Sequence, residues 1–331
     1  MPDVRPKALV TAAVRGPGLD LLGQLADLTL DSWLDQSTLR IYDAEQLAAR
    51  MASEGATIAI VESDRCAGPL FELPLVAVGS CRGDPTNVDV AAATAAGVPV
   101  LRAPGRNADG VAELAVGLMF AATRGLVAAD ADVRKGDIYK EGTIPYQRFR
   151  AWELAGRTAG LVGLGAVGRA TRWRLRGLGM EVIAYDPYAD ESTVSLDELL
   201  ERADVVSLHA PVTAETTGMI GAAQFAAMRD GVVFINSARA ALHDTDALVE
   251  ALQSGKVSAA GLDHFEGEFL APDHPLTSFD SVVLAPHIGG ATYDTESNHT
   301  RIIAEDLCRL MAGARPLHIV NPEVLAHRSV R

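Results

Sequence analysis

The chain has 331 residues, room for two domains with cores of their own. Hydrophobic residues make up 48% and charged residues 22%, ordinary globular usage that excludes a disordered chain or a disulfide-stapled miniprotein. The net charge of −14 repels polyanions, so nucleic acid is not an expected partner.

In chain order, short β-branched or apolar runs alternate with helical patterns, the habit of parallel sheets covered by helices on both faces. Residues Met1 to Lys7 lead into an apolar segment that soon meets Arg15, Gly16 and Pro17, so no signal-peptide core forms. A first series follows, with strands expected at Ala8 to Val14, Ala56 to Glu62, Leu75 to Gly79 and Val98 to Leu101, and helices at Asp43 to Ala52 and Val88 to Ala96. Asp109 to Arg134 reads as one Ala-rich helical stretch, long enough to bridge two domains. Within it Leu114 to Thr123 is among the longest apolar runs, too short to span a bilayer. The second series has strands expected near Ala159 to Gly163, Glu181 to Tyr185, Val205 to His209, Val232 to Asn236, Ala259 to Asp263 and Val282 to Ala285, with a helix between each pair. Ser195-Leu-Asp-Glu198 reads as a capping box, and Asp246 to Gln253 as a helix stopping at Gly255. Tyr293 to Met311 forms a last long helix, followed only by a short tail, and is expected to return the chain to the first domain. Cys66, Cys81 and Cys308 are odd in number and far apart, with no Cys-x-x-Cys or Cys/His cluster for zinc. Reduced thiols, no metal and a cytoplasmic location are expected.

Gly163-Leu-Gly165-Ala-Val-Gly168 closes one strand and opens the helix Val167 to Gly177, the context of a dinucleotide fingerprint. Such glycines permit a tight turn and let the amides of Ala166 and Val167 approach a pyrophosphate at the helix N-terminus. By itself the pattern also fits a turn that binds nothing. Asp186, eighteen residues after Gly168 at the end of the next strand, argues for the ligand. An acid there accepts ribose hydroxyls and repels a 2′-phosphate, and Pro187-Tyr188 bring no arginine. NAD is therefore the expected cofactor, ahead of NADP.

Asn236-Ser-Ala-Arg239, Asp263-His-Phe-Glu-Gly-Glu268 and Pro286-His287-Ile-Gly-Gly-Ala-Thr292 each sit just past a strand's carboxyl end. Open α/β sheets bind ligands at that edge, so the three segments are expected to converge beside the nicotinamide. Singly, they fit a surface cation, a solvated acidic loop and a structural histidine. Together, beside the fingerprint, they favour a site.

These residues resemble the D-isomer-specific 2-hydroxyacid dehydrogenases, the family of phosphoglycerate dehydrogenase, glyoxylate/hydroxypyruvate reductase, D-lactate dehydrogenase and formate dehydrogenase. The likeness spans nearly the whole chain, resting in the first half on Val76 to Gly83, Asn87-Val-Asp89 and Pro104-Gly-Arg-Asn107-Ala with the following Val-Ala-Glu113-Leu helix. It implies an α/β fold of two doubly wound parallel-sheet domains: a flavodoxin-like substrate domain over 1–104, a Rossmann NAD-binding domain over 105–292, and a return segment, 293–331, that completes the first. By the same likeness Arg239 pairs with the substrate carboxylate and polarises its 2-oxo group, and His287 is the acid/base. Glu268, five positions after Asp263, orients His287 and stabilises the imidazolium, with Glu266 as the rival. Asp263 is implied to contact the nicotinamide amide, and Ser237, Ala238 and the amides of Gly289 and Gly290 to line the other side. His209 and Pro211 flank the cofactor, and Asn107 approaches it. Ser80, Cys81, Arg82 and Gly83 match the loop whose backbone amides hold the substrate carboxylate. Arg82 departs from the usual glycine-rich stretch and either selects a second anionic or polyhydroxylated group or points to solvent. Ala240 and Phe269 stand where relatives carry glycine and proline. The implied activity is NAD-dependent interconversion of a small D-2-hydroxy acid and its 2-oxo acid, in a homodimer. Formate oxidation is disfavoured, because the family's formate enzymes replace the acid by glutamine. The alternative is an NAD-sensing binding protein resembling the corepressors that share this fold.

Overall fold

The continuous apolar runs of the sequence become parallel strands buried from both sides, in a computed structural model that describes residues 5–327. The chain divides into two units, the first running to Arg106 and resuming at Thr292, the second spanning Asn107–Ala291. The expected borders lay at 104/105 and 292/293.

The first unit contains β1 (Lys7–Val10), α1 (Pro17–Leu25), β2 (Asp27–Leu30), α2 (Ala44–Glu54), β3 (Ile58–Val61), β4 (Ala77–Ser80), α3 (Val90–Ala95) and β5 (Val100–Arg102). Its sheet runs β2-β1-β3-β4-β5, all parallel, the flavodoxin-like order. Side chains alternate with period two. Ile58 and Ile60 meet Leu22 of α1 on one face, while Ala59 and Val61 meet Leu47 and Met51 of α2 on the other. The first strand stops at Val10 and does not reach Val14, because the amides of Thr11 and Ala12 both turn to the Ile60 carbonyl. Sequence reading missed β2, a half-exposed edge strand with no buried run, and α1, whose Pro17 suits a first helical turn.

The second unit contains α4 (Ala108–Thr123), α5 (Leu126–Lys135), α6 (Pro145–Arg148), β6 (Thr158–Val162), α7 (Ala166–Gly177), β7 (Glu181–Tyr185), α8 (Leu196–Arg202), β8 (Val205–Leu208), α9 (Ala222–Ala227), β9 (Val232–Asn236), α10 (Thr245–Gln253), β10 (Val257–Leu262) and β11 (Val282–Leu284). Its all-parallel sheet runs β11-β10-β9-β8-β6-β7, so strand order reverses between β6 and β8. Val232 and Phe234 of β9 pack with Phe225 and Leu248, and Val233 and Ile235 pack with Leu118 and Met119 of α4. Arg174 of α7 pairs with Asp109 at 3.0 Å and Glu113 at 2.8 Å, holding α4 in place.

Three expectations are corrected here. The stretch Asp109 to Arg134 is two helices bent by 62°, broken at Gly125 in the left-handed region (φ 57), and lies wholly in the second unit. No single helix among the described residues is long and apolar enough to cross a membrane. Between β10 and β11 the described residues form only 3-10 turns, at Glu266–Glu268 and Pro275–Ser278, because Gly267, Pro272 and Pro275 interrupt any helix. At Ser195 only half of the capping box forms: its hydroxyl accepts the Glu198 N–H at 3.2 Å, while the Glu198 carboxylate takes Arg202 at 2.5 Å.

The C-terminal segment opens with α11 (Tyr293–Met311), as expected, and belongs to the first unit. Its Ile303 and Leu307 join the core beneath α1. Beyond it, Asn321 accepts the Val100 N–H at 2.9 Å and donates to the Val98 carbonyl at 2.9 Å, stitching the tail to β5.

Candidate active site

At the reversal of strand order, the three glycines of the fingerprint do different things. Gly163 has φ 101, and a Cβ there would lie 2.7 Å from the His209 carbonyl carbon. A Cβ on Gly168 would lie 2.1 Å from the Gly163 oxygen. Both glycines are required by close packing. Gly165, the N-cap of α7, faces open space: a Cβ there would meet no described atom within 4 Å. No described side chain caps α7 and no acid occupies its first turn, so the orphan amides beginning at Ala166 and Val167 suit an anion. A dinucleotide pyrophosphate fits this open, uncapped terminus.

Asp186, just past β7, accepts the Leu164 N–H at 2.7 Å and the Tyr188 N–H at 2.9 Å, which fixes its carboxylate against the glycine turn. Arg169, on the first turn of α7, is held by Glu191 through two contacts of 3.0 Å. His209 is buried with Nε2 3.0 Å from Ser207 Oγ and Nδ1 without a partner, and burial pushes it down to about 4. It is a neutral wall of the turn. Pro211 is exposed, its carbonyl accepting the Thr216 hydroxyl at 2.7 Å.

At the end of β9, Asn236 shapes the loop that presents Arg239. Its Oδ1 accepts the Ala238 N–H at 3.0 Å, and its Nδ2 donates to the Arg239 carbonyl at 2.8 Å and to His243 Nδ1 at 3.0 Å. Burial pushes His243 down to about 4, leaving that nitrogen free to accept. Ser237 is buried with its hydroxyl unpartnered, and Arg239 is exposed.

Past β10, the buried Asp263 carboxylate accepts the amides of Ile288 at 2.8 Å and Gly289 at 2.9 Å. Burial raises its pKa against the pull of those two bonds. Asp263 thus clamps the loop after β11, and the Gly289 amide, expected to line the cofactor, is spent on this clamp. Asn107, preceding α4, packs against Gly290, where a Cβ would lie 3.2 Å from its Nδ2.

The clamp presents His287, whose Nδ1 lies 2.9 Å from Glu268 Oε1. Among the described residues, only Glu141, Glu268 and His287 are non-glycines with positive φ, the latter two at 55°. A left-handed non-glycine residue costs on the order of 1–3 kcal/mol, and such strain collects at functional sites. The acid in contact is Glu268. Glu266 is exposed, and the described contacts of His287 do not include it.

Sequence reading missed His264. Its ring is 4% exposed and lies 3.9 Å from the His287 ring, centroid to centroid, tilted by 55°. Its Nδ1 has no hydrogen-bond partner and stands 3.9 Å from Glu268 Oε1. Burial, then the charges of His287 and Arg239, push it down to about 3, against a hydrogen bond to the Ser237 backbone. Its position one residue after Asp263 was the available signal.

In the first unit the loop of Ser80 to Gly83 is less open than expected. Ser80 donates to Asn87 Oδ1 at 3.0 Å, and the Cys81 thiol lies in the core while its amide donates to the Val61 carbonyl at 2.7 Å. The Cys81 amide is therefore not available to a carboxylate, and Arg82 and Gly83 lead the loop beyond β4. All three cysteines are free, and burial pushes the thiols of Cys66 and Cys81 up.

The second unit therefore offers an anion-ready helix terminus, a fixed carboxylate at the next strand end, an exposed guanidinium and an imidazole backed by a carboxylate. This set suits proton transfer beside a bound dinucleotide. Residues 116–289 match the family profile described as D-isomer specific 2-hydroxyacid dehydrogenase, NAD binding domain. The chain is 37% identical to a glyoxylate reductase from Thermofilum pendens, over 98% of this chain and 97% of that protein. It is 42% identical to a D-3-phosphoglycerate dehydrogenase from Archaeoglobus fulgidus, over 71% of this chain and 45% of that protein. Among solved structures, a glyoxylate reductase from Paecilomyes thermophila is similar with a TM-score of 0.76 at 27% identity, covering 98% of this chain and 100% of that one.

Proposed function

Because the chain belongs to the D-isomer-specific 2-hydroxyacid dehydrogenases, we propose that it reduces a small 2-oxo acid to the D-2-hydroxy acid, and reverses this, with NAD preferred to NADP. The contact of His287 Nδ1 with Glu268 Oε1 at 2.9 Å carries this reading. When bound, NADH would supply the hydride in reduction and NAD+ would accept it in oxidation. Ala166 and Val167 would hold the pyrophosphate, Asp186 would receive the ribose hydroxyls, and Asn107, His209, Pro211, Ser237, Ala238 and Gly290 would line the rest. The Arg239 guanidinium pairs with the substrate carboxylate in a two-pronged contact. His287 then gives a proton from Nε2 to the carbonyl oxygen in reduction and takes it from the hydroxyl in oxidation, while Glu268 holds the opposite nitrogen and stabilises the cation.

Glyoxylate is the smallest substrate of this class. Arg82 is assigned to read a distal anionic or hydroxylated group on a larger one. A panel of 2-oxo acids assayed with NADH and NADPH tests the whole reading. NADH is expected to give a kcat/KM at least about tenfold above NADPH, a difference of about 1.4 kcal/mol, and Arg82→Ala to raise KM for an acid with a distal charge more than for glyoxylate. Equal or better use of NADPH overturns the cofactor preference, and equal effects of Arg82→Ala on both acids overturn its role. A homodimer belongs to the same reading, supported by the exposed apolar side chains Leu126, Val127, Val133, Ile138, Tyr139 and Ile144 on and after α5. Light scattering showing a monomer at micromolar concentration overturns it.

A further inference from the structure

We propose that His264, Glu268 and His287 form a binding site for one divalent transition-metal ion of the Zn2+ class. His264 Nδ1, Glu268 Oε1 and His287 Nδ1 lie within 4.8 Å of one another, with separations of 2.9 Å and 3.9 Å to the shared carboxylate oxygen. In a tetrahedral zinc site with bonds of about 2.0–2.1 Å, ligand atoms stand roughly 3.3 Å apart. The two separations straddle that value, so small side-chain rotations bring all three onto one ion.

His264 is the residue that turns this cluster into a site. Its ring is 4% exposed and its Nδ1 is orphaned, and leaving a buried polar group unpaired costs about 1–3 kcal/mol. Burial keeps the ring neutral, so one of its two nitrogens carries a lone pair, and a lone pair on the orphaned Nδ1 faces Glu268. Two imidazoles and one carboxylate suit zinc rather than magnesium or calcium, and three protein ligands leave a fourth position open. Glu268 and His287 are exposed, so an ion enters from solvent without unfolding the site.

The consequence for turnover rests on the proposed function. A metal on Nδ1 of His287 takes the place of the proton shared with Glu268 and leaves the remaining proton on Nε2. That N–H is a far weaker acid than an imidazolium, so reduction loses its proton donor. Nε2 also has no lone pair, so oxidation loses its base. Glu268, now a metal ligand, no longer supports a cation.

The test titrates the purified protein with Co2+, read by its visible ligand-field bands, and with Zn2+ in competition with a chelating dye. One equivalent is expected to bind. His264→Val and Glu268→Gln should each weaken Zn2+ binding at least about tenfold, Glu268→Gln serving if the buried substitution fails to fold. Zn2+ should inhibit NADH oxidation with the same half-saturation as binding, and His264→Val should lose that sensitivity relative to its own metal-free rate. Binding unchanged in both variants, or abolished by Cys308→Ser, overturns the site. Zn2+ binding through the three ligands in a protein that turns over no 2-oxo acid upholds the site and overturns the activity reading; turnover without Zn2+ binding does the opposite.

Discussion

The two units are built alike, each an all-parallel sheet with helices on both faces, yet their strand ends are finished differently. In the first, polar groups beyond β1, β3 and β4 satisfy one another. Thr11 donates to Asp64, Asp64 accepts the Tyr42 amide at 2.8 Å, Ser80 bonds Asn87, Asn87 bonds the Asp64 carbonyl at 3.0 Å, and Arg106 pairs with Glu62 at 2.7 Å. In the second, α7 starts uncapped, the Nδ1 atoms of His209 and His264 and the Ser237 hydroxyl lack partners, and Glu268 and His287 hold a disfavoured backbone. Buried polar groups are normally paired. Unpaired buried atoms occur in the first unit too, at Trp33, Arg40 and Thr57, but in the second they include His209, Ser237 and His264 at the strand ends that form the candidate site.

The sharpest way to break this contrast is His287→Ala. Loss of the proposed acid/base should cut kcat about 10²- to 10⁴-fold, with NADH affinity within about twofold, since the glycine turn and Asp186 stay intact. Steady-state kinetics and NADH fluorescence titration check both halves, and near-normal turnover breaks the mechanism.

A smaller effect separates packing from binding within the fingerprint itself. Gly168→Ala forces a Cβ to 2.1 Å from the Gly163 oxygen and should cost about 3 kcal/mol or more in urea unfolding. Gly165→Ala enters open space and should leave the urea midpoint unchanged while weakening NADH binding. Normal NADH affinity in Gly165→Ala would show that the open side of the turn is not the pyrophosphate seat.

The smallest effect per group concerns acid. His209 and His243, at about 4, and His264, at about 3, all lie in the second unit. A depressed histidine pKa makes the unfolded chain the better proton acceptor, so each contribution to stability is complete above about pH 6.5 and shrinks as pH falls toward the folded value. By pH 4.5 each should have lost about 2–3 kcal/mol. His299 in the first unit shifts the same way, so that unit weakens too, but less. Hydrogen exchange at pH 4.5 should show protection lost earlier in β8, β9 and β10 than in β1, β3 and β4. The reverse order means that the second unit's unpaired polar groups are not its acid weakness.

Much of this was legible along the chain. The Glu181–Tyr185 and Val232–Asn236 strands and the Tyr293–Met311 helix have the bounds that their apolar periodicity predicts, because a run buried on both faces or a 3.6-residue stripe is local information. The fingerprint was equally plain, since close packing tolerates only glycine at 163 and 168. The break at Gly125 was hidden by good helix formers on either side, and β2 by its half-exposed edge position.

Sequence alone therefore determined the two parallel sheets, the family likeness and the residue types at each strand end. Tertiary structure decided which partners those residues met. The register of β3 beside β4 spent the Cys81 amide on Val61, a fact no local pattern contains. The Asp263 clamp on Ile288 and Gly289 brought His287 to Glu268 and laid it against His264. A search for closely spaced Cys and His ligands could not find that trio, because its third member arrives from a separate strand end. Hydrogen bonds and ring contacts act over a few ångströms of space, and only the packed sheet makes residues distant in the chain neighbours.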